Sequence, residues 1–438
     1  MSIKVAKFGG TSLANAAQIR KVKKIIESDR NRRYIIPSAP GKADPKDQKL
    51  TDLLYRCHAL ARQGASFAEE FTQITKRFEE IVADLGLTID LTSELETIKE
   101  KITKGASCDY TASRGEYLNG LILANLLNYD FVDPTELISF RDSGEFDGEK
   151  TQELAGKYLK EIPYAVIPGF YGALPNGEIK TFSRGGSDIT GAIIARAVGA
   201  KLYENWTDVS GFLMSDPRII KNPKPIKKIT YRELRELSYM GATVLHDESV
   251  FPVKQAGIPV QIKNTNDPDA PGTLIVHDAD PITQIGAITG IAGRKDFTII
   301  AIEKALMNQE LGFGRKILSI LERHHVSFEH LPSGIDTISV VIADSQLDHK
   351  LDKMLEEIKQ ECQPDSIEVH ANMALIATVG RGMAYTPGIA GKLFSALGEE
   401  KINVRMIDQG SSEINIIVGV ETDDFERAVR TIYKAFVE

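Results

Sequence analysis

Two loops of this sequence each place a pair of glycines between an apolar stretch and an amphipathic helix. The first, KFGGTS, has Lys7 before Gly9 and Gly10 and Ser12 after them. Glycines at a helix N-terminus let backbone N–H groups approach phosphate oxygens, and a lysine beside them can stabilise charge on a transferred phosphoryl group. Ser12 could donate to a phosphate or cap the helix that follows. The same glycines suit an ordinary turn with positive φ, so this loop alone leaves both interpretations open.

The second loop, SRGGSDIT, spans residues 183–190 and carries Arg184 before its glycines and Asp188 after them. A guanidinium group can grip a planar carboxylate with two parallel hydrogen bonds. Asp188 would also be stable as a plain carboxylate in the first turn of a helix, with no further role. Because two such loops occur in one chain, an anion-binding site is favoured over coincidence.

Two further stretches carry polar groups that suit a nucleotide or an amine. NWTDVSGFLMSDPR places Thr207 and Asp208 at the end of a strand, and the run Asp216, Pro217 and Arg218 follows a glycine turn. These groups could hold adenine, ribose and phosphate, or they could form a surface loop. In SRGEYLNG, Glu116 begins an apolar helix, where it either caps the helix or binds an ammonium group.

The elements that must position these groups alternate between strands and helices. Residues 3–8 predict a strand, 15–27 a helix, GSDITGAIIARAVG a second helix and KLYENWTDVSGF a strand that runs into a loop. This order predicts an α/β sheet with crossover helices. Ligands of such sheets bind beyond the carboxyl ends of the strands, and that is where the glycine loops fall.

From about residue 290 the pattern changes to βαββαβ, and it then repeats. A shift of 76 positions pairs Gly312 with Gly388 and Lys316 with Lys392, and it superposes every predicted element, including a strand predicted for VSFEHL. The last strand of the first copy, SIEVH, has no counterpart in the second copy. We therefore expect a strand from the first copy or from another subunit to pair with the open edge.

The overall composition predicts a soluble protein of two or three domains, since 42% of its 438 residues are hydrophobic and 26% are charged. The net charge of −8, without a basic stripe, argues against nucleic acid and anionic membranes as partners. Neither a signal segment nor an apolar run of membrane-spanning length is present. Cys57, Cys108 and Cys362 form no CxxC pair, and His324 and His325 suit a solvated helix end. We expect a cytoplasmic protein with no disulfides and no protein-bound metal.

The ordered set KFGGTS, SRGGSD and NWTDVSGFLMSDPR, followed by the tandem repeat, resembles the aspartokinases over the whole chain. The resemblance implies a three-layer amino-acid-kinase sandwich with a mostly parallel central sheet at residues 1–288. It further implies ferredoxin-like ACT domains at 289–372 and 373–438. The implied reaction is phosphorylation of the L-aspartate side chain by ATP, with Mg²⁺ held mainly through the ATP phosphates, as the first step of lysine, threonine and methionine biosynthesis.

The resemblance also implies a role for each matching residue. Lys7 and Asp188 would be catalytic, with Lys7 stabilising charge in transfer and Asp188 organising that lysine. The implied ATP-binding residues are Lys7, Gly9, Gly10, Ser12, Thr207, Asp208, Asp216, Pro217 and Arg218. The implied aspartate-binding residues are Ser38, Thr51, Glu116 for the amine, Phe170, Arg184 for the α-carboxylate, and Ser187.

One motif departs from the family pattern. Where relatives carry a lysine that reaches ATP and a proline, the stretch GATVLHDES has Thr243 and Asp247. One charged ATP contact is therefore in question, and Lys227 or Lys228 could replace it. The departure leaves room for an alternative, an amino-acid-sensing protein with a decayed kinase domain, which the intact Lys7, Glu116, Arg184 and Asp188 oppose.

The first repeat copy occupies the place where relatives bind an inhibitory amino acid. The implied effector residues are Met307, Gly312, Phe313, Gly314, Ser327, Phe328 and Glu329. Glu329 would contact the ammonium group of the effector, and L-lysine is the leading effector. The resemblance also implies a homodimer or tetramer assembled through the ACT domains.

Overall fold

The structure is a computed structural model, and it describes residues 2–44, 46–183, 185–242, 245, 247–277 and 286–438. Contacts divide the chain into two units, which are described separately. The first comprises Met1–Phe212, Pro225–Tyr231 and Val244–Asp280, and the second comprises Leu213–Lys224, Arg232–Thr243 and Pro281–Glu438. By their contacts, residues 213–224 and 232–243 thus belong with the second unit, although they precede residue 288.

The strands and helices follow the chain in this order. The strands are β1 (Lys4–Phe8), β2 (Arg32–Pro37), β3 (Asp130–Phe131), β4 (Ala165–Val166), β5 (Tyr171–Ala173), β6 (Ile179–Thr181), β7 (Leu202–Thr207), β8 (Lys228–Thr230), β9 (Val260–Asn264), β10 (Thr273–Val276), β11 (Gly290–Glu303), β12 (Thr337–Ala343), β13 (Ser366–Val379), β14 (Met406–Asp408) and β15 (Asn415–Glu421). The helices are α1 (Ala16–Glu27), α2 (Leu50–Arg62), α3 (Ala68–Leu85), α4 (Thr92–Thr103), α5 (Cys108–Leu127), α6 (Gly148–Leu159), α7 (Gly186–Ala197), α8 (Tyr231–Tyr239), α9 (Phe251–Gln255), α10 (Phe313–Arg323), α11 (Leu351–Cys362), α12 (Ile389–Glu399) and α13 (Phe425–Val437). None of these described helices is long and apolar enough to cross a membrane.

The first unit is organised around a mostly parallel sheet. Within the described residues this sheet has eight strands in the order β3-β4-β2-β1-β7-β9-β10-β8. Its neighbouring strands run parallel except for the antiparallel pair β9 and β10. The predicted fold class, a mostly parallel α/β sheet with crossover helices, is confirmed.

The two faces of this sheet have different roles, because successive strand residues point to opposite sides. Ala6 and Phe8 of β1 share a buried core with helices α1–α5. Lys7, between them, lies on the opposite face together with Asn205, its register partner on β7. The first residues of α1 are capped by Asn15, whose Oδ1 accepts from the backbone N–H of Gln18 at 3.0 Å. The capping role considered for Ser12 therefore belongs to Asn15.

The second unit contains an antiparallel sheet in the order β12-β11-β13-β15-β14 among its described residues. Strand β13 serves both copies of the repeat: residues 366–370 pair with the second half of β11, and residues 373–379 pair with β15. The first half of β11, Gly290–Arg294, also pairs with the second half of β13. Residues of the first copy therefore occupy the sheet position for which the second copy has no strand of its own.

One predicted strand of the repeat does not form as a strand. In VSFEHL, the ladder is limited to an isolated bridge between His330 and Val341, with the Glu329 N–H donating to the Val341 carbonyl at 2.8 Å. Ser327 and Phe328 are exposed, so this segment has no continuous apolar face to bury. It follows the edge of β12 as a loop.

Candidate active site

Three polar side chains meet on the helix α7 face of the first unit's sheet. Lys7 Nζ lies 2.6 Å from Asp188 Oδ1, and the Lys7 side chain is largely buried. Asn205 Nδ2 donates to the same Asp188 oxygen at 2.8 Å, and Asn205 Oδ1 lies 3.5 Å from Lys7 Nζ. The structure thus brings together the two predicted catalytic residues and adds Asn205, which sequence reasoning missed.

Strands β1 and β7 and helix α7 hold Lys7, Asn205 and Asp188 in position. Lys7 and Asn205 are opposite each other on the parallel pair β1 and β7. Asp188 lies in the first turn of α7, and its backbone carbonyl accepts from the Tyr203 hydroxyl at 3.0 Å. A carboxylate is favoured at that end of a helix. The register and the helix start therefore hold the ammonium and the carboxylate in contact before any ligand binds.

The KFGG loop packs tightly against a second loop. A β-carbon built at Gly10 would lie 2.9 Å from the Ala39 carbonyl oxygen, and one at Gly41 would lie 2.4 Å from the carbonyl carbon of Gly10. The Gly41 N–H donates to the Gly10 carbonyl at 2.8 Å, and Arg77 on α3 donates to the Gly41 carbonyl. Gly10 and Gly41 are thus required by a close approach of two backbone segments.

Ser12 is placed inside the protein. It is 2% exposed, and its hydroxyl lies 2.8 Å from that of Thr265. The Thr265 N–H in turn donates to the Thr207 carbonyl at 2.9 Å. Through Thr265, Ser12 therefore connects the first glycine loop to the segment that carries Thr207. The Ser12 hydroxyl makes this contact inside the protein and is not exposed to solvent.

Phe170 has an unusual backbone conformation beside helix α7. Its φ is +86°, a region that non-glycine residues seldom adopt and that is concentrated at functional sites. Its N–H donates to Thr190 Oγ1 at 3.0 Å, and a β-carbon at Gly186 would lie 2.2 Å from its ring. Ser187 packs closely against Gly169, because a β-carbon built on Gly169 would lie 2.5 Å from the Ser187 hydroxyl oxygen. The structure therefore places Phe170 and Ser187 together at the start of α7.

Glu116 is a buried carboxylate on α5. It is 6% exposed, and burial raises the pKa of Glu116 to about 7, although the backbone N–H of Ala39 donates to it and opposes the shift. Among the described residues, its Oε2 has no hydrogen-bond partner. The attraction of the nearby Arg114 guanidinium also opposes the rise in the pKa of Glu116 but does not cancel it. A buried carboxylate oxygen without a hydrogen-bond partner is costly, and an ammonium group is the ligand that would offset this cost.

Among the remaining predicted aspartate-site residues, the structure connects Ser38 to helix α5. Asn119, one helical turn after Glu116, donates from Nδ2 to the Ser38 carbonyl at 2.6 Å. Ser38 also donates from its N–H to the Phe8 carbonyl at 3.1 Å. Thr51 is half-buried in the first turn of α2. Arg184 lies outside the described residues, as does Thr243.

The predicted nucleotide residues fall in both units. In the first unit, Thr207 Oγ1 donates to Asp208 Oδ1 at 3.2 Å at the exposed end of β7. In the second unit, Asp216 accepts from Arg218 through Nη2 at 2.6 Å, which lowers the pKa of Asp216. Pro217 between them is exposed. Asp216 and Arg218 thus form a local ion pair whose guanidinium is open to solvent.

The predicted effector residues form a partly exposed group in the second unit. Met307 and Phe313 belong to the apolar core of the first repeat copy, and Gly312 takes a φ of +81° at the start of α10, just before Gly314. Ser327 and Phe328 are exposed, and Glu329 is half-buried. Burial and a hydrogen bond to Glu329 raise the pKa of Tyr239, on α8, to about 12. Glu329 is thus the acidic group of this cluster, and it is linked to α8.

Two family models match the sequence. Residues 2–264 match the amino acid kinase family, and residues 376–436 match an ACT domain. The first match alone covers more than half of the chain.

Similar proteins match over the full length. Aspartokinase 3 of Bacillus subtilis (strain 168) is 38% identical over 450 residues, which span 99% of this chain and 98% of that protein. A crystal structure of Clostridium acetobutylicum aspartate kinase is 61% identical and covers 100% of both chains, with a TM-score of 0.93.

More distant crystal structures of E. coli aspartokinase III also cover 100% of both chains at 27% identity. One holds aspartate and ADP in the R-state, with a TM-score of 0.74, and the other holds lysine and aspartate in the T-state, with a TM-score of 0.76.

Proposed function

Because this chain belongs to the amino acid kinase family and, within it, to the aspartokinases, we propose that it transfers the γ-phosphoryl group of ATP to the side-chain carboxylate of L-aspartate. The products are 4-phospho-L-aspartate and ADP, and the reaction opens lysine, threonine and methionine biosynthesis. We assign catalysis to residues 1–288 and regulation to two ACT domains at 289–372 and 373–438. The observation that carries the proposal is the ion pair between the buried Lys7 and the half-buried Asp188 beside two glycine loops.

The chemistry requires anions to approach one another. The aspartate carboxylate is already ionised at neutral pH, so the nucleophile needs no general base. What the protein must supply is positioning and positive potential where charge builds up on the transferred group. Lys7 supplies the ammonium, and the N–H groups of the KFGG loop and the start of α7 supply aligned dipoles.

The amino-acid end of aspartate requires its own partners. Glu116 offers a buried carboxylate with a free oxygen among the described residues, and it would pair with the α-ammonium group. Arg184 would grip the α-carboxylate, and Ser38, Thr51, Phe170 and Ser187 would enclose the substrate. An ion pair shielded from water is strong enough to orient the substrate, which leaves the side-chain carboxylate free to react.

The chain uses ATP, and we propose that Gly9, Gly10, Ser12, Thr207 and Asp208 bind it together with Lys7. A nucleotide-binding role for Asp216, Pro217 and Arg218 stays a prediction from the sequence. Among the described residues, no group of three or more His, Cys, Asp or Glu side chains could hold a metal ion. A magnesium ion would enter with the ATP phosphates, where it would neutralise part of their charge. Asp208, in the first unit, is a carboxylate of the proposed nucleotide site that could contact its water shell.

Hydroxylamine trapping tests this function directly. An acyl phosphate reacts with hydroxylamine to give a hydroxamate, so incubation with MgATP and L-aspartate should yield β-aspartyl hydroxamate in proportion to ADP. ADP release without hydroxamate would indicate simple ATP hydrolysis and would contradict the assignment. Absence of both would favour a sensing protein with a decayed kinase domain.

Substituting Arg184 with lysine should weaken aspartate binding selectively. Lysine keeps the positive charge but loses the bidentate fork, and one lost charge-assisted hydrogen bond corresponds to about a tenfold rise in the aspartate KM. The ATP KM should change by less than about twofold. Steady-state kinetics with each substrate varied in turn gives the two values. A rise confined to the ATP KM would move Arg184 to the nucleotide site.

For regulation, we propose that an amino-acid effector, L-lysine, binds at the cluster of Met307, Gly312, Phe313, Gly314, Ser327, Phe328 and Glu329. We also propose that the subunits pair through the ACT domains as a dimer or tetramer. Large apolar side chains of the same repeat copy are exposed, including Leu306, Leu311 and Ile335, with exposures of 62%, 98% and 71%. Exposed apolar side chains in such number support an interface in this copy.

Replacing Glu329 with alanine should weaken inhibition by lysine while leaving uninhibited turnover unchanged. Loss of the acidic partner of an ammonium group should raise the half-inhibitory lysine concentration about tenfold or more. The measurement is an inhibition curve for L-lysine, with L-threonine as the second ligand and Glu322→Ala, an exposed glutamate on α10, as the matched variant. A wild type that ignores millimolar lysine contradicts the choice of effector, and an unchanged curve for Glu329→Ala places the site elsewhere.

A further inference from the structure

Asn205 occupies a position where an apolar side chain would be expected. It is 4% exposed on the central strand β7, between the fully buried Tyr203 and the half-buried Thr207. Its amide is nevertheless directed at charged groups, because Nδ2 lies 2.8 Å from Asp188 Oδ1 and Oδ1 lies 3.5 Å from Lys7 Nζ. A buried amide that contacts both members of an ion pair has a different role from a polar group on a surface.

An amide suits this position because it is both donor and acceptor and carries no charge. Nδ2 donates a hydrogen bond to the carboxylate oxygen that Lys7 also contacts, and Oδ1 faces the ammonium group. With Asn205 in place, the Asp188 oxygen shares its lone pairs between two donors. Without it, that oxygen would be available to the lysine alone, and the ammonium would be held more firmly against Asp188.

Strand geometry holds the amide in this orientation. Lys7 and Asn205 are register partners on β1 and β7, so the separation of their backbones is fixed by the sheet. Two residues earlier on the same face, the Tyr203 hydroxyl donates to the Asp188 carbonyl at 3.0 Å. Two side chains of strand β7 thus contact Asp188: Tyr203 binds its backbone carbonyl, and Asn205 binds its carboxylate.

We infer that Asn205 is a positioning residue for phosphoryl transfer, which sets the Lys7 ammonium relative to Asp188 so that it is available to the transferred phosphoryl group. This inference rests on the proposed function. Asn205 acts through Lys7, so its contribution should disappear when Lys7 is absent.

The central variant is Asn205→Leu, which is close in volume. It leaves no group without a partner, since Lys7 and Asp188 remain in contact, so the melting temperature should stay within about 3 °C. The expected result is a fall in kcat of about thirtyfold with both KM values within about threefold, since most of the lost interaction belongs to the transition state and a small part to the bound ATP. Asn205→Asp places a second carboxylate oxygen against Asp188 and should lower kcat further. Asn205→Ala serves the same purpose if leucine disturbs folding.

Two controls separate positioning from a structural role. Tyr203→Phe removes a hydrogen bond to the Asp188 backbone but leaves its carboxylate contacts, and kcat should stay within about threefold. In a Lys7→Ala background, Asn205→Leu should cause no further loss of kcat, because residues that act as a unit are not additive. Additive losses, a kcat for Asn205→Leu within about twofold of wild type, or an equal loss in Tyr203→Phe would overturn the inference.

Binding gives a readout that does not depend on turnover. Asn205→Leu should weaken the affinity for the non-hydrolysable analogue AMP-PNP about threefold and leave that for AMP unchanged, since Lys7 faces the transferred phosphate. Calorimetric titration of both ligands into the full chain measures this. An unchanged AMP-PNP affinity would overturn the positioning role. A wild type that binds AMP-PNP normally but releases no aspartate-dependent ADP would instead contradict the proposed function.

Discussion

Alanine in place of Lys7 is expected to lower kcat about a hundredfold or more, equivalent to roughly 3 kcal/mol of transition-state stabilisation. The Lys7 ammonium is held 2.6 Å from Asp188 in a largely buried position, so its charge is preorganised and poorly screened. No other described lysine contacts Asp188 through an ion pair that could replace it. Initial-rate measurements of ADP release at saturating ATP and aspartate give kcat for both proteins.

The matched control for this substitution is Lys23→Ala, a lysine on α1 whose side chain is 37% exposed and whose ion pair with Glu27 spans 3.8 Å. Such a surface pair contributes little, so kcat should not change. Circular dichroism melting establishes that the Lys7→Ala protein is folded. Turnover of folded Lys7→Ala within about threefold of wild type would remove Lys7 from the mechanism.

Glutamine in place of Glu116 is expected to raise the aspartate KM about a hundredfold, roughly 3 kcal/mol, with little change in the ATP KM. The carboxylate is fully shielded on α5, so an ammonium group paired with it would interact in a water-poor environment. Glutamine keeps the shape and can still hydrogen-bond but lacks the charge. Glu94→Gln, a first-turn glutamate on α4, is the matched control.

The raised pKa of Glu116 determines how protein stability and aspartate binding each change with pH. Because burial raises the pKa of Glu116 from 4.5 to about 7, the folded protein binds more protons than the unfolded chain between those values. The free energy of unfolding that Glu116 contributes is therefore highest below pH 4.5 and is lost as the pH rises through 7. Aspartate binding follows the opposite trend, since only the ionised carboxylate pairs with the ammonium group.

Two pH series therefore test the role of Glu116. The kcat/KM for aspartate should fall as the pH drops through 7 in wild type and lose this limb in Glu116→Gln. In the absence of aspartate, Glu116→Gln should melt at a higher temperature than wild type at pH 8 and at a similar temperature at pH 5. Parallel profiles for the two proteins in both series would show that Glu116 does not titrate in this range.

The sequence predicted Lys7 and Asp188 for the candidate site, but not their contact with each other or with Asn205. Their glycine loops made Lys7 and Asp188 candidates, because glycine pairs before helices have a specific physical use, and the resemblance to the aspartokinases implied that Asp188 is catalytic. Asn205 was missed because a polar residue in NWTD could equally follow a strand. The available signal was its place between Tyr203 and Thr207 in alternation, which puts it on the same side of the sheet as Lys7.

Contacts that depend on tertiary packing were beyond a reading of the sequence. Residues 213–224 belong with the second unit because Ile219 and Ile220 pack into the apolar core that includes α12 and α13, and because the Ile291 N–H donates to the Met214 carbonyl at 2.7 Å. The order of residues along the chain offers no signal for such a connection. The contact of Ser12 with Thr265 could not be predicted for the same reason, since the two residues are 253 positions apart.

The repeat shows the opposite case, in which an incomplete pattern was informative. A missing strand predicted that another strand would complete the second copy, and Gly290–Arg294 pairs with β13 at that position. The sequence left its source open between the first copy and another subunit. Strand β11 can serve both copies because it has 14 residues, roughly twice the length of an average strand.

The most direct test of the proposed function is the rate of ADP release from MgATP with L-aspartate, with L-glutamate and with neither, using the full-length chain. We predict rapid release with L-aspartate and release near the background rate in the other two reactions, since Glu116 and Arg184 would hold a substrate of fixed length against Lys7. Equal rates with all three mixtures, or faster release with L-glutamate, would contradict the assignment as an aspartate kinase.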